Sequence, residues 1–189
     1  MQHDFVDPGG AVPCQGASEI VPRIKKLMTE ARAAGIPIIY TKEVHRPQKV
    51  DFGRELDGKA PLHTVEGTVG AEILEELTPL EGDCVVYKRR LSAFFNTDLE
   101  LLLKAFEVST VYLTGAATDV CVHYTAIDAH QRDLRVKIVR DCVAGTSKKA
   151  HEAALANMEQ RQRGCVIQYT LAAEDFRLLR KFKEGPQVS

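Results

Sequence analysis

From residue 18 onward two hydrophobic rhythms alternate along the chain. Over 18–32 the apolar positions recur near a period of 3.6 and stop before Gly35, which predicts a helix. The run 36–41 is apolar and β-branched, and it predicts a strand. The same alternation continues with a short helix at 70–77, a strand at 84–87, a helix at 98–106 and a strand at 110–114. A helix at 119–130, a strand at 136–139, a helix at 147–160, a strand at 165–168 and a helix at 172–180 complete the pattern. Five strands separated by helices define a layered α/β domain of three layers, doubly wound around a mostly parallel sheet. A single domain over 1–189 is the expectation, since the length is enough for one core.

Two stretches do not follow the rhythm. Residues 42–68 carry proline, glycine and charge without periodicity, a loop longer than simple connection requires and therefore a candidate for function. Residues 1–17 read as turn and loop, so the first strand, the buried central one of a doubly wound sheet, has no counterpart in the numbering. The expectation is that this strand lies upstream of Met1.

Charge and cysteine content narrow the function. With 25 basic and 26 acidic side chains there is no electrostatic footprint for nucleic acid, and no apolar run is long enough to span a membrane. A small-molecule partner and a cytoplasmic location are expected, because the first residues also lack the pattern of a secretory signal. The five cysteines include no C-x-x-C pair, which argues against a zinc knuckle or a disulfide framework and for reduced, mostly buried thiols.

One of the five is placed differently. Cys121 follows a buried strand and the small residues Gly115, Ala116 and Ala117, at the start of a helix where free N–H groups favour a thiolate. In a parallel sheet the strand ends share one rim, so Lys88, leaving the strand at 84–87, is expected beside it. That lysine either holds a thiolate or oxyanion or extends to solvent, and Cys121 is either a nucleophile or a packing residue.

Taken together, residues 1–5, the segment 65–73, Lys88 with 92–97, residues 115–122 with Ala126, Asp128 and Ala129, and Asp141 resemble the isochorismatase-like cysteine hydrolases. These include nicotinamidases, N-carbamoylsarcosine amidases and ureidoacrylate amidohydrolases. The resemblance implies a Cys/Asp/Lys triad in which Cys121 attacks a carboxamide, Lys88 supports the thiolate, and the N–H groups of Ala117 and Cys121 form an oxyanion hole. It also implies a cis peptide between Ala116 and Ala117, and a homo-oligomer whose pockets are completed by a neighbour. The triad aspartate would precede the residue matching Met1. Asp4 is expected to order its loop, while Asp119 or His3 would be the base of a rewired site.

The loop carries further candidates. Glu43, His45 and His63 fall where nicotinamidases hold a divalent metal, with the fourth histidine missing, and no cofactor is expected. Arg46, Arg54, Arg89 and Arg90 can either grip a substrate carboxylate or pair with loop acids, and Phe5, Phe94 and Phe95 can wall a pocket. With Arg54, Arg89, Phe5 and Phe94 assigned to the pocket, the pattern points to a hydrolase of small linear carbamoyl or ureido amides. The alternatives are a metal-assisted nicotinamidase, a catalytically silent ligand-binding protein, and a thiol sensor using Cys121.

Overall fold

A computed structural model describes residues 1–58 and 60–184. Residues 185–189 of the expected single domain lie outside the described ones. The order is α1 (His3–Val6), α2 (Ala17–Ala33), β1 (Ile39–Glu43), β2 (Cys84–Lys88), α3 (Leu99–Ala105), β3 (Thr110–Ala116), α4 (His123–His130), β4 (Arg135–Ala144), α5 (Lys148–Arg161), β5 (Val166–Ile167) and α6 (Tyr169–Glu184). Every strand pair among the described residues is parallel, each joined by a long crossover connection. Helices cover both faces: α2 and α6 enclose one apolar cluster with Val139, Cys142 and Ile167, and α3, α4 and α5 enclose another with Val86, Ile138 and Val143.

The five strands form two sheets. β1 pairs with β2, Glu43 opposite Lys88, while β4 sits between β3 and β5. Among the described residues β1 and β3 therefore each have a strand partner on one side only, and both line a common cavity of about 280 Å³.

Three local expectations need correction. The predicted helix at 70–77 is two 3₁₀ turns, Val69–Ala71 and Glu75–Leu77, because Ile73 between them is drawn into an antiparallel bridge with Gln2. The predicted loop at 1–17 contains the single turn α1. The strand at 136–139 extends to Ala144, since a register shift after Leu113 lets Gly115 and Ala116 pair with Val143 and Ala144. That shift brings the end of β3 over the rim, where Gly115 adopts φ +105°, a conformation that favours glycine.

Candidate active site

The strand register assembles the site. Parallel pairing places Glu43 and Lys88, the last residues of β1 and β2, side by side at the rim. β3 ends at Ala116 and the chain turns through a cis Ala116–Ala117 peptide into a π-helical turn, Thr118–Val122, before α4. The expected helix start is therefore this wider turn, a local form that often marks functional sites. It aims Cys121 at the same rim. The Cys121 Sγ lies 3.4 Å from Lys88 Nζ and 3.5 Å from Glu43 Oε2, and Lys88 also donates to Glu43 Oε2 and to the Arg90 carbonyl at 3.0 Å.

Glu43 and Lys88 are buried and Cys121 is half-buried, and each holds the others in a defined protonation state. Burial tends to raise the Glu43 carboxyl, but Lys88, His45 and His63 hold it well below the usual carboxylate range. Burial tends to lower the Lys88 ammonium, but Cys121 and Glu43 keep it above its ordinary value. The Cys121 thiol is pushed up to about 11 by burial, with Lys88 opposing and Glu43 reinforcing the shift. At neutral pH the resting site is a thiol beside a carboxylate–ammonium pair.

The carboxylate in contact with the thiol is thus Glu43, a role the sequence reading did not give it. The register signal was available, since Glu43 ends one strand as Lys88 ends its parallel neighbour. The candidates for a rewired base are elsewhere. Asp119 accepts from the Thr146 amide at 2.8 Å and its hydroxyl at 2.5 Å, and His3 binds Asp7 at 2.8 Å. Asp4 ties the loops together, accepting from the amides of Ala11 at 3.0 Å and Thr64 at 2.6 Å.

Glu43 faces a second group with its other oxygen. Oε1 lies 3.0 Å from His63 Nε2 and 3.5 Å from His45 Nε2, and Glu55 Oε2 is 3.6 Å from His63. Ligand atoms of Glu43, His45, Glu55 and His63 all fall within 4.8 Å of one another. Glu55, which the sequence reading did not single out, thus fills the place without a histidine. His63 Nδ1 lies 2.9 Å from the Pro61 carbonyl, which orients the ring so that Nε2 points at the cluster. His45 is fully buried, stacked on Phe52 at 3.9 Å, and neither ring nitrogen has a hydrogen-bond partner among the described residues. A buried imidazole without a hydrogen bond, beside two carboxylates and a second imidazole, fits a divalent cation of the zinc or iron type.

The pocket assignments divide. Phe5 and Phe94 line the cavity into which Cys121 and Lys88 open, whereas Phe95 is exposed. Arg54 does not line it; it points to solvent and pairs with Asp57 at 2.9 Å. Arg89 is spent on the Val44 carbonyl and lies 3.2 Å from Asp51. Arg46 and Arg90 also bind Asp51, through its carboxylate and carbonyl respectively, so these three arginines fold the loop around one aspartate. His151 bonds Thr118 at 2.9 Å, His123 lies 3.3 Å from Asn157, and Asp141 accepts from the Tyr169 amide at 2.8 Å, all as packing and connecting groups.

The domain is parallel α/β, and a cysteine, a lysine and a carboxylate meet at its strand rim. The chain belongs to the isochorismatase family, whose domain model matches residues 1–170. It is 33% identical to N-carbamoylsarcosine amidase of an Arthrobacter species over 148 residues, 76% of this chain and 56% of that protein. An isochorismatase-like hydrolase from Alkaliphilus metalliredigens superposes with a TM-score of 0.85 at 33% identity, covering 93% of this chain and 94% of that one. The pyrazinamidase of Pyrococcus horikoshii, solved in complex with zinc, gives 0.79 at 32% identity, with 89% and 94% covered. No described helix is long and apolar enough to cross a membrane.

Proposed function

We propose that the chain is an amidohydrolase that cleaves the C–N bond of a small linear carbamoyl or ureido amide through Cys121. The observation that carries this reading is the triangle of half-buried Cys121 with buried Lys88 and Glu43, opening on an apolar cavity. The Cys121 sulfur attacks the carbonyl carbon, and its proton passes to Glu43. The oxyanion that forms is met by the N–H groups of Ala117 and Cys121, with the Lys88 charge nearby. The C–N bond breaks as the leaving nitrogen takes the proton, leaving a thioester on Cys121. Water then adds to the thioester and releases the acid and the free thiol. The choice of a linear carbamoyl or ureido substrate rests on the likeness to N-carbamoylsarcosine amidase. An ammonia-release screen over such amides, with wild type and Cys121→Ala side by side, tests the reading.

The second reading is metal assistance, and the fully buried, unpartnered imidazole of His45 favours it. Glu43, His45, Glu55 and His63 would hold the cation, which when bound would polarise a substrate carbonyl or ring nitrogen as a Lewis acid. Metal analysis after loading with zinc, against Glu55→Gln and His45→Ala, separates the two readings.

A further inference from the structure

The imidazole of His45 is fixed in place by everything except its own nitrogens. Its backbone forms a parallel bridge with Val65: the His45 amide donates to the Thr64 carbonyl at 2.9 Å, and the His45 carbonyl accepts from the Glu66 amide at 2.8 Å. One face of the ring is covered by the fully buried Phe52, at 3.9 Å and with 17° between the two planes. What remains open is which nitrogen carries the proton and which is left as a lone pair.

The two nitrogens face different carboxylates. Nε2 looks into the cluster, 3.5 Å from Glu43 Oε1, and Nδ1 looks away from it, 3.6 Å from Asp51 Oδ1. Both separations lie just beyond the hydrogen-bond range of about 2.7–3.2 Å, so a small turn of the ring closes one of them. An imidazole that binds a metal offers one nitrogen as a lone pair and donates its other N–H to a carboxylate or carbonyl, which fixes the ring and strengthens the ligand. Asp51 directly precedes Phe52, so one short piece of the loop supplies both the facing oxygen and the stacking ring.

Asp51 is itself held from several sides. It is buried, its carbonyl accepts from Arg90, and Arg46 Nη1 and Arg89 Nη1 lie 2.9 Å and 3.2 Å from Oδ2. Both guanidinium groups thus use the oxygen that does not face His45. Oδ1 accepts from the Arg46 amide at 3.0 Å, and a carboxylate oxygen has a second lone pair, which is left for the imidazole.

We propose that Asp51 is a positioning residue for a divalent cation: it takes the Nδ1–H of His45 and so leaves Nε2 free to bind the cation together with Glu43, Glu55 and His63. The proposal rests on the metal-assisted reading above. It assigns the three arginines a purpose beyond closing the loop, since they hold the aspartate against the buried ring.

Zinc affinity by chelator competition, with proton–nitrogen NMR of the histidine rings in the zinc-free chain, tests this on wild type, Asp51→Ala, Asp51→Asn, His45→Ala and the Asp51→Ala/His45→Ala double variant. At about pH 8, where a histidine ring is ordinarily neutral, wild type should carry the His45 proton on Nδ1, and Asp51→Ala should shift it toward Nε2. Zinc affinity should fall about 10- to 100-fold in Asp51→Ala and by less in Asp51→Asn, which keeps the shape and an acceptor oxygen and carries the test if the alanine form does not fold. In the His45→Ala background the loss of Asp51 should change affinity by less than about twofold, because its effect passes through that ring. An equal loss in both backgrounds would mean that Asp51 only shapes the loop. That result, an Nε2 proton in wild type, or zinc affinity unchanged in both Asp51 variants would overturn the proposal. Wild type that takes up no zinc would instead sink the metal-assisted reading beneath it, and neither readout depends on amide turnover.

Discussion

The two ends of the cleft between β1 and β3 solve burial in opposite ways. At the rim every strand end is tied: Gln2 completes the edge of β1, Glu43 and Lys88 neutralise each other, and Asp4 and Asp51 gather loop amides and arginines. A few residues toward the strand starts the lining is apolar and the edges are open, and residues 110–114 of β3 are only half-buried while Val136, Ile138 and Val139 of β4 are buried. The difference places the polar partners of the site at the strand ends and the apolar lining below them. Register between β1 and β2, plus the turn after β3, is enough to bring thiol, ammonium and carboxylate together.

The comparison can be broken at its charged end first. Replacing Lys88 with Met removes the only cation bonded to Glu43 Oε2 among the described residues and leaves a carboxylate buried beside Cys121. Loss of one partner of a buried pair costs about 3 to 5 kcal/mol, and amide turnover should fall by about 10³-fold or more, read by denaturant melts and ammonia release. Next is Gln2→Ala, which removes the carboxamide that bonds both the carbonyl and the amide of Glu43. Two backbone groups lose their partners, so stability should drop by about 2 to 3 kcal/mol, seen as a Tm lower by roughly 5 to 10 °C.

A smaller effect sharpens the contrast from outside the cleft. Burial tends to raise Asp83, but Arg32 at 2.5 Å and the Leu80 amide hold its carboxyl below the ordinary value. A depressed carboxyl stabilises the fold above its unfolded value, and the contribution is lost as pH falls through the folded value. Asp83→Asn should therefore cost about 1 kcal/mol at pH 7, and the difference from wild type should vanish below about pH 3 in thermal melts. The smallest effect is expected at Arg54→Ala, a solvent-facing side chain away from the cavity. Its stability should change by less than about 0.5 kcal/mol, and KM for any amide substrate should stay as in wild type.

Much of this was legible in the sequence, for reasons that differ by residue. Helices such as α2 and α6 announce themselves because their apolar stripe and polar face follow one local period. That Cys121 and Lys88 share one rim was legible because each follows a strand of a parallel sheet. The 3₁₀ turns at 69–77 were not, since Ile73 is captured by Gln2, some seventy residues earlier, and no local pattern encodes that pairing. Arg54 and Arg89 were misplaced because a loop arginine shows its charge in sequence but not its partner. The contact between Glu43 and Cys121 required the register of β1 against β2, which only tertiary structure fixes.

The most direct test of the central claim is ammonia release from small carbamoyl and ureido amides by wild type, Cys121→Ala and Cys121→Ser, with intact-mass detection of an acyl adduct after acid quench. The account predicts turnover by wild type with an adduct on Cys121, and neither turnover nor adduct in Cys121→Ala. Ammonia release that survives in Cys121→Ala would contradict it.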